Sequence, residues 1–140
     1  MIREFLKKVR SQEFILRAYE EELERVREDA AGIKSPSLGE RVQNGQKKDL
    51  SDAVERIETY EKKVRDAWGA LMEMKEKAEA VIAREPDEKR RAVLYRRYIL
   101  CESWEVIAGK MGFNVRHVYR LHDEGLADLE NMAVNVSIHL

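Results

Sequence analysis

The sequence is short of residues that cross-link or break a chain. Cys101 is the only cysteine, so it has no partner for an internal disulfide, and without a CxxC pair neither a structural zinc site nor a redox motif is supported. It reads as a buried bystander thiol on an inter-helix turn. With two prolines and seven glycines in 140 residues, breakers are rare, and the length suits one globular domain or a small domain on a helical stalk. Neither sign of charge dominates: 26 basic residues face 27 acidic ones, which favours long solvated helices over a polyelectrolyte that coats nucleic acid and leaves DNA binding to a local patch. No apolar run approaches the roughly 18 residues that span a bilayer. The opening MIREFLKKVRSQEF has no uninterrupted apolar core of a signal peptide, so a soluble, cytoplasmic protein without a membrane partner is expected.

Charge and apolar periodicity supply the positive signal. From Ile2 to Ile33, apolar residues recur at alternating steps of three and four, interrupted only by Gln12, and a second series from Leu50 to Val81 keeps the same alternation without a polar member. Both are heptad seams roughly 48 Å long at about 1.5 Å per residue. Matched stripes on tethered segments predict an all-α protein beginning with a long antiparallel, coiled-coil-like helical hairpin over 1–85. Leu6, Ile15, Val54, Trp68 and Ile82 lie beside the seams and widen the stripe beyond what one helix covers, which predicts a homodimer with a four-helix core. Tyr19 and Tyr60 on the seams, and Tyr95 and Tyr98 beyond them, are expected in the core. The connection Lys34 to Asp49, rich in Ser, Gly and polar residues, reads as a loop that is either mobile or functional. Gly39 and Gly45 superficially resemble a phosphate loop, but their spacing is one residue too long and no Ser or Thr follows Lys47.

Pro86 marks a boundary, with a helix expected from there to about Leu100 and Asp87 and Glu88 in its first turn. In SWEVIAGKMGFNVRHVYRLHDEGLADLE, Ser103 to Glu130, Ser103 is a candidate N-cap, Gly112 suits a positive φ and Asn114 can cap a following helix. The pattern is helix, tight turn, helix. Val118, Leu121, Leu126 and Leu129 are expected inward, leaving Arg116, His117, Tyr119 and Arg120 outward near the second helix's start, where a helix-turn-helix offers side chains to base edges. Between Lys89 and Arg120 eight basic residues meet two acidic ones, and beyond that the sign reverses through Asp123, Glu124, Asp128 and Glu130. Positive charge is thus concentrated where phosphates would lie.

The stretch Arg91 to Leu129 resembles region four of bacterial sigma factors, whose helix-turn-helix reads the promoter's upstream element. It is more similar still to a group of phage and prophage proteins, some of them late-transcription activators, that place a sigma-like module behind a helical N-terminus. The resemblance is carried by VLYRRY, Ser103-Trp104-Glu105 leading to Ile107-Ala108, Met111-Gly112, and Val118-Tyr119-Arg120-Leu121-His122, about the last third of the chain; the helical stalk followed by IKSPSL resembles the group more loosely. It implies that Arg116, His117, Tyr119 and Arg120 form the recognition surface while Val118 and Leu121 face the core. Val115 departs from the family, which often places a basic or polar residue there. Nothing in the 140 residues resembles the part of a sigma factor that reads the promoter's downstream element, so a complete initiation factor is not expected.

Three segments follow: the hairpin 1–85 for oligomerisation or docking, the module 86–131, and a tail 132–140. The expected function is sequence-specific binding of double-stranded DNA by a transcriptional regulator of phage or prophage late-gene type, with RNA polymerase as a candidate partner. Base reading falls to Arg116, His117, Tyr119 and Arg120, and backbone contact to Arg90, Arg91, Arg96, Arg97, Ser103, Trp104 and Lys110. For Trp104 core packing competes with that role, and for His117 a plain surface position does; His122 is read as surface or packing. His117 and His122, five residues apart, do not share a helix face, so no metal site is expected, and neither a cofactor nor an enzymatic constellation stands out. A small-terminase-like packaging protein, separable by its ring-sized mass, and a polymerase-binding module that leaves DNA untouched are the alternatives. The tail AVNVSIHL alternates with period two and reads as a frayed end or a short strand pairing with its copy.

Overall fold

The computed structural model describes residues 1–34 and 44–139, with the side chains of 34, 44–47 and 135–139 outside that description. Among the described residues there are five α-helices and no strand, as the all-α reading expects: α1 (Ile2–Lys34), α2 (Asn44–Ile82), α3 (Glu88–Tyr98), α4 (Trp104–Met111) and α5 (Val115–His139). No helix among them is long and apolar enough to cross a membrane.

Three boundaries differ from the sequence reading. Residues 44–49 of the expected loop are the first turns of α2, consistent with the strong helix propensity of Gln46, Lys47 and Lys48; Lys34 ends α1, and residues 35–43, including Gly39, lie outside the described residues. The tail is helical and not a strand, because α5 runs to His139. A short lone strand would leave its backbone groups unpaired, whereas a helix satisfies them internally; Leu140 lies outside the description. In α3, Pro86 precedes the helix, and Asp87 is its cap, accepting from the Arg90 N–H at 2.9 Å.

The chain divides into two compact units, Phe14–Ala70 and Met1–Glu13 with Leu71–Leu140, so the segment 1–85 contributes to both. In the first, Leu16, Leu23, Val26, Ala30 and Ala67 are buried. Glu22 pairs with Arg56 at 3.7 Å and Arg27 with Glu61 at 3.7 Å, and the Lys63 ammonium lies over the Tyr19 and Tyr60 rings. The α2 seam is incompletely covered here. Leu50, Ala53, Ile57, Tyr60 and Val64 are only half-buried, and Phe14, Ile15, Val54 and Trp68 are exposed, Trp68 to 56%.

In the second unit the ends of α1 and α2 join α3, α4 and α5. Leu6, Val9, Leu71, Ala78 and Ile82 are buried alongside Val93, Leu94, Ile107, Val118, Leu126 and Leu129. At roughly 1.5–3 kcal/mol per fully buried large aliphatic side chain, this core is the main source of the module's stability. Leu6 and Ile82 are therefore covered within the chain and do not belong to a surplus stripe. A Cβ on Gly125 would sit 3.0 Å from Leu94 Cδ1, so glycine there lets α5 pack close to α3. Tyr98 is in the core as expected, but Tyr95 is 40% exposed, at the edge of the face of α3 that buries Val93, Leu94 and Tyr98.

Candidate functional site

The geometry of the site begins with local capping. Ser103 has extended backbone and its Oγ accepts from the Val106 N–H, starting α4. Gly112 closes it at φ 71° and ψ 30°, its own N–H donating to the Ala108 carbonyl, and Asn114 Oδ1 then accepts from the His117 N–H at 2.8 Å at the start of α5. These three residues fix the angle between α4 and α5. Val93, Ile107, Ala108, Val118 and Leu121 fill the space between, with Trp104, Met111, Phe113 and Val115 packed against them. Val115 is thus a packing residue.

With Val118 and Leu121 buried, Arg116, Tyr119 and Arg120 are exposed on the N-terminal part of α5. His117 is half-buried, its ring meeting the edge of Phe113 at 4.6 Å. Arg120 Nη2 donates to His117 Nδ1 at 2.8 Å, and Arg116, His117, Arg120 and Asn114 line one surface depression. Three of the four residues assigned to base reading therefore share one depression, while Tyr119 packs against Trp104.

The five cations assigned to the DNA backbone fall into three groups. Arg90 is turned onto the acidic part of α5, 2.8 Å from Glu124 and 3.0 Å from Asp128. Those contacts, above all the hydrogen bond it donates to Glu124, hold its pKa above the usual value. The acidic residues that the sequence set at the far end of α5 thus neutralise one of the cations expected on phosphate. Arg91 donates to the Glu85 carbonyl at 2.8 Å. Arg96 and Lys110 converge on the carboxylate of Glu102, Arg96 at 3.2 Å, and Arg97 reaches the Glu102 carbonyl at 3.2 Å. Sequence reasoning counted Glu102 only as a minus sign in a basic stretch. It also missed Arg10 of α1, whose Nη1 donates to the carbonyls of Arg97 and Glu102 at 3.0 and 3.3 Å.

Trp104 links the two parts. The Arg97 guanidinium lies 3.9 Å from its ring centre, and its edge meets Tyr119 and His122, each with centroids 4.8 Å apart. Behind it His122 is buried, and its Nε2 is 2.6 Å from the Tyr98 hydroxyl while its Nδ1 is 3.1 Å from Asp123 Oδ1. A proton on Nδ1 satisfies both contacts, with Tyr98 donating to Nε2. Burial holds the His122 pKa below 6.5 against the pull of Asp123, and burial raises that of Tyr98. Of the alternatives the sequence left open, packing holds for His122. Among the described residues no three His, Cys, Asp or Glu side chains gather as a metal site would require.

No protein-family model, no curated protein and no solved structure matches this chain.

Proposed function

We propose that this protein is a sequence-specific DNA-binding regulator of transcription, of the sigma-region-four-like kind found in phages and prophages. Its α4 and α5 act as a helix-turn-helix, and α1 and α2 as an antiparallel hairpin for dimerisation or polymerase docking. The observation that carries this reading is the cap, left-handed glycine, cap sequence at Ser103, Gly112 and Asn114. It leaves Arg116, Tyr119 and Arg120 exposed at the start of α5, where a recognition helix meets base edges. Arginine is suited to bidentate contact with guanine, and His117 and Tyr119 to neighbouring edges. Lys110, Arg97 and Arg96, with Ser103 and Trp104 at the start of α4, supply phosphate contacts that set the register. Arg90 and Arg91 contribute less, being held by Glu124, Asp128 and the Glu85 carbonyl.

The test is selection from a randomised duplex pool at about physiological salt, on the intact protein and on an Arg116→Ala, Arg120→Ala double variant. The intact protein should enrich a motif and the variant should lose it, at roughly 1–3 kcal/mol per bidentate contact. Enrichment by neither would favour a second reading, in which the module contacts polymerase and leaves DNA untouched. The engagement of Arg90, Arg96 and Lys110 by acidic side chains supports that reading.

A further inference from the structure

The charge between α3 and α4 is arranged unlike an ordinary solvated face. Glu102 lies in the short link between the two helices, its backbone fixed on both sides. Its N–H donates to the Arg96 carbonyl at 2.9 Å, and its own carbonyl accepts from Arg10 and Arg97. The carboxylate is consequently held in one place, 10% exposed, between the Arg96 guanidinium and the Lys110 ammonium, while Lys110 itself is 55% exposed. Among the described residues no carboxylate pairs with Arg97, which instead lies over Trp104, in edge contact with Tyr119 of the base-reading surface. A single anion thus occupies the middle of a cationic patch contiguous with that surface, with two oxygens offered to an arginine and a lysine in the manner of a phosphate.

We propose that Glu102 is an internal stand-in for a DNA backbone phosphate, occupying the anion position between Arg96 and Lys110 until a duplex phosphate displaces it. This rests on the DNA-binding reading above and adds a threshold to it: a duplex gains Arg96 and Lys110 only by expelling the carboxylate. Burial of Glu102 works against its charge, yet the hydrogen bonds from Lys110 and Arg96 prevail and hold its pKa below the usual range, so the carboxylate is ionised throughout the neutral range. The exchange is therefore of one anion for another. A backbone phosphodiester offers the same donors two non-bridging oxygens and one negative charge, and its binding adds the release of condensed counterions from DNA.

The experiment compares wild type, Glu102→Gln, Glu102→Asp and Glu105→Gln as full chains. Each is titrated with a random-sequence duplex over a series of salt concentrations and, separately, with inorganic pyrophosphate while the side-chain resonances of Arg96 and Lys110 are followed. Glu102→Gln should bind the random duplex about tenfold more tightly than wild type near 0.1 M salt, with a log–log salt slope steeper by about 0.9, equivalent to one added phosphate contact. Glu102→Asp, which keeps the charge but is too short to span the two cations, should gain part of this. Glu105→Gln removes the same charge from an exposed position on α4 and should change affinity by no more than about twofold, as expected of a screened surface charge. Pyrophosphate should shift the Arg96 and Lys110 resonances in Glu102→Gln at concentrations that leave wild type unmoved. If wild type binds duplex but neither Glu102 variant binds more tightly than Glu105→Gln, the stand-in is overturned and DNA binding survives. Uptake of pyrophosphate by Glu102→Gln with no duplex bound by any variant would overturn DNA binding and keep the anion exchange. Absence of both would overturn both.

Discussion

Tyr98 and His122 form a buried polar pair in the unit that holds α3, α4 and α5. Removing the Tyr98 hydroxyl by Tyr98→Phe would leave the buried His122 Nε2 without its donor, so a loss of about 1–2 kcal/mol is expected in denaturant unfolding. The same pair gives a pH signature. His122 titrates below 6.5 when folded, so the unfolded chain binds the extra proton first. Its contribution is complete above about pH 6.5 and declines as pH falls from there to the lower folded value, seen as a falling melting temperature that Tyr98→Phe leaves in place. Glu85 works in the opposite sense. It is fully buried, accepts from the Asp87 N–H with Oε1, and has no partner for Oε2 among the described residues. Burial, aided by the nearby Asp128 carboxylate, raises its pKa against the Asp87 hydrogen bond. The stability it contributes is present below pH 4.5 and is lost as pH rises through its folded value, so Glu85→Gln should raise the denaturant midpoint at pH 7 and leave it unchanged at pH 4.

Among the elements, the α4 to α5 turn is the most sensitive. A Cβ at Gly112 would meet nothing within 4 Å, so the cost of replacing it is purely conformational. Gly112→Ala should destabilise by about 1–2 kcal/mol in thermal unfolding, and Gly112→Asn by less, because asparagine tolerates the left-handed region. That turn was readable in advance, since Ser103, Gly112 and Asn114 each act within four residues of their own position. The same locality explains why α4 and the inward set Val118, Leu121, Leu126 and Leu129 fell where the pattern put them, and why α3 was placed to within two residues at each end. What could not be read was non-local or set by the alternative a segment faced. Arg90 finds Glu124 and Asp128 34 and 38 residues away, and Arg10 reaches residue 102 from another helix. The period-two tail was misread because alternation says nothing about whether a second strand exists to pair with. Glu102 carried only one faint sign in the sequence, as an acid wedged between a basic helix and the Ser103 cap.

For the whole molecule, the quantity of interest is the surface that one chain leaves uncovered. The half-buried seam of α2 from Leu50 to Val64, with Phe14, Ile15, Val54 and Trp68 exposed, suits burial against a second copy. Trp68→Glu should convert a dimer to a monomer in sedimentation equilibrium while leaving the far-ultraviolet helical signal intact; a wild type already monomeric at high concentration would exclude this interface. A dimer would set two recognition helices on half-sites about 34 Å apart or a multiple of it, so the selected motif should be a palindrome, whereas a monomer would select a single half-site.

The two tryptophans fall in different units, Trp68 solvent-facing within Phe14–Ala70 and Trp104 stacked among Arg97, Tyr119 and His122 in the other. Each is thus an intrinsic optical probe of a separate event. In a Trp104→Phe background the emission of Trp68 would follow self-association, and in a Trp68→Phe background the quenching of Trp104 would follow the approach of nucleic acid. The proposed self-association and the proposed DNA recognition would therefore be timed independently in one stopped-flow instrument, without attaching a label.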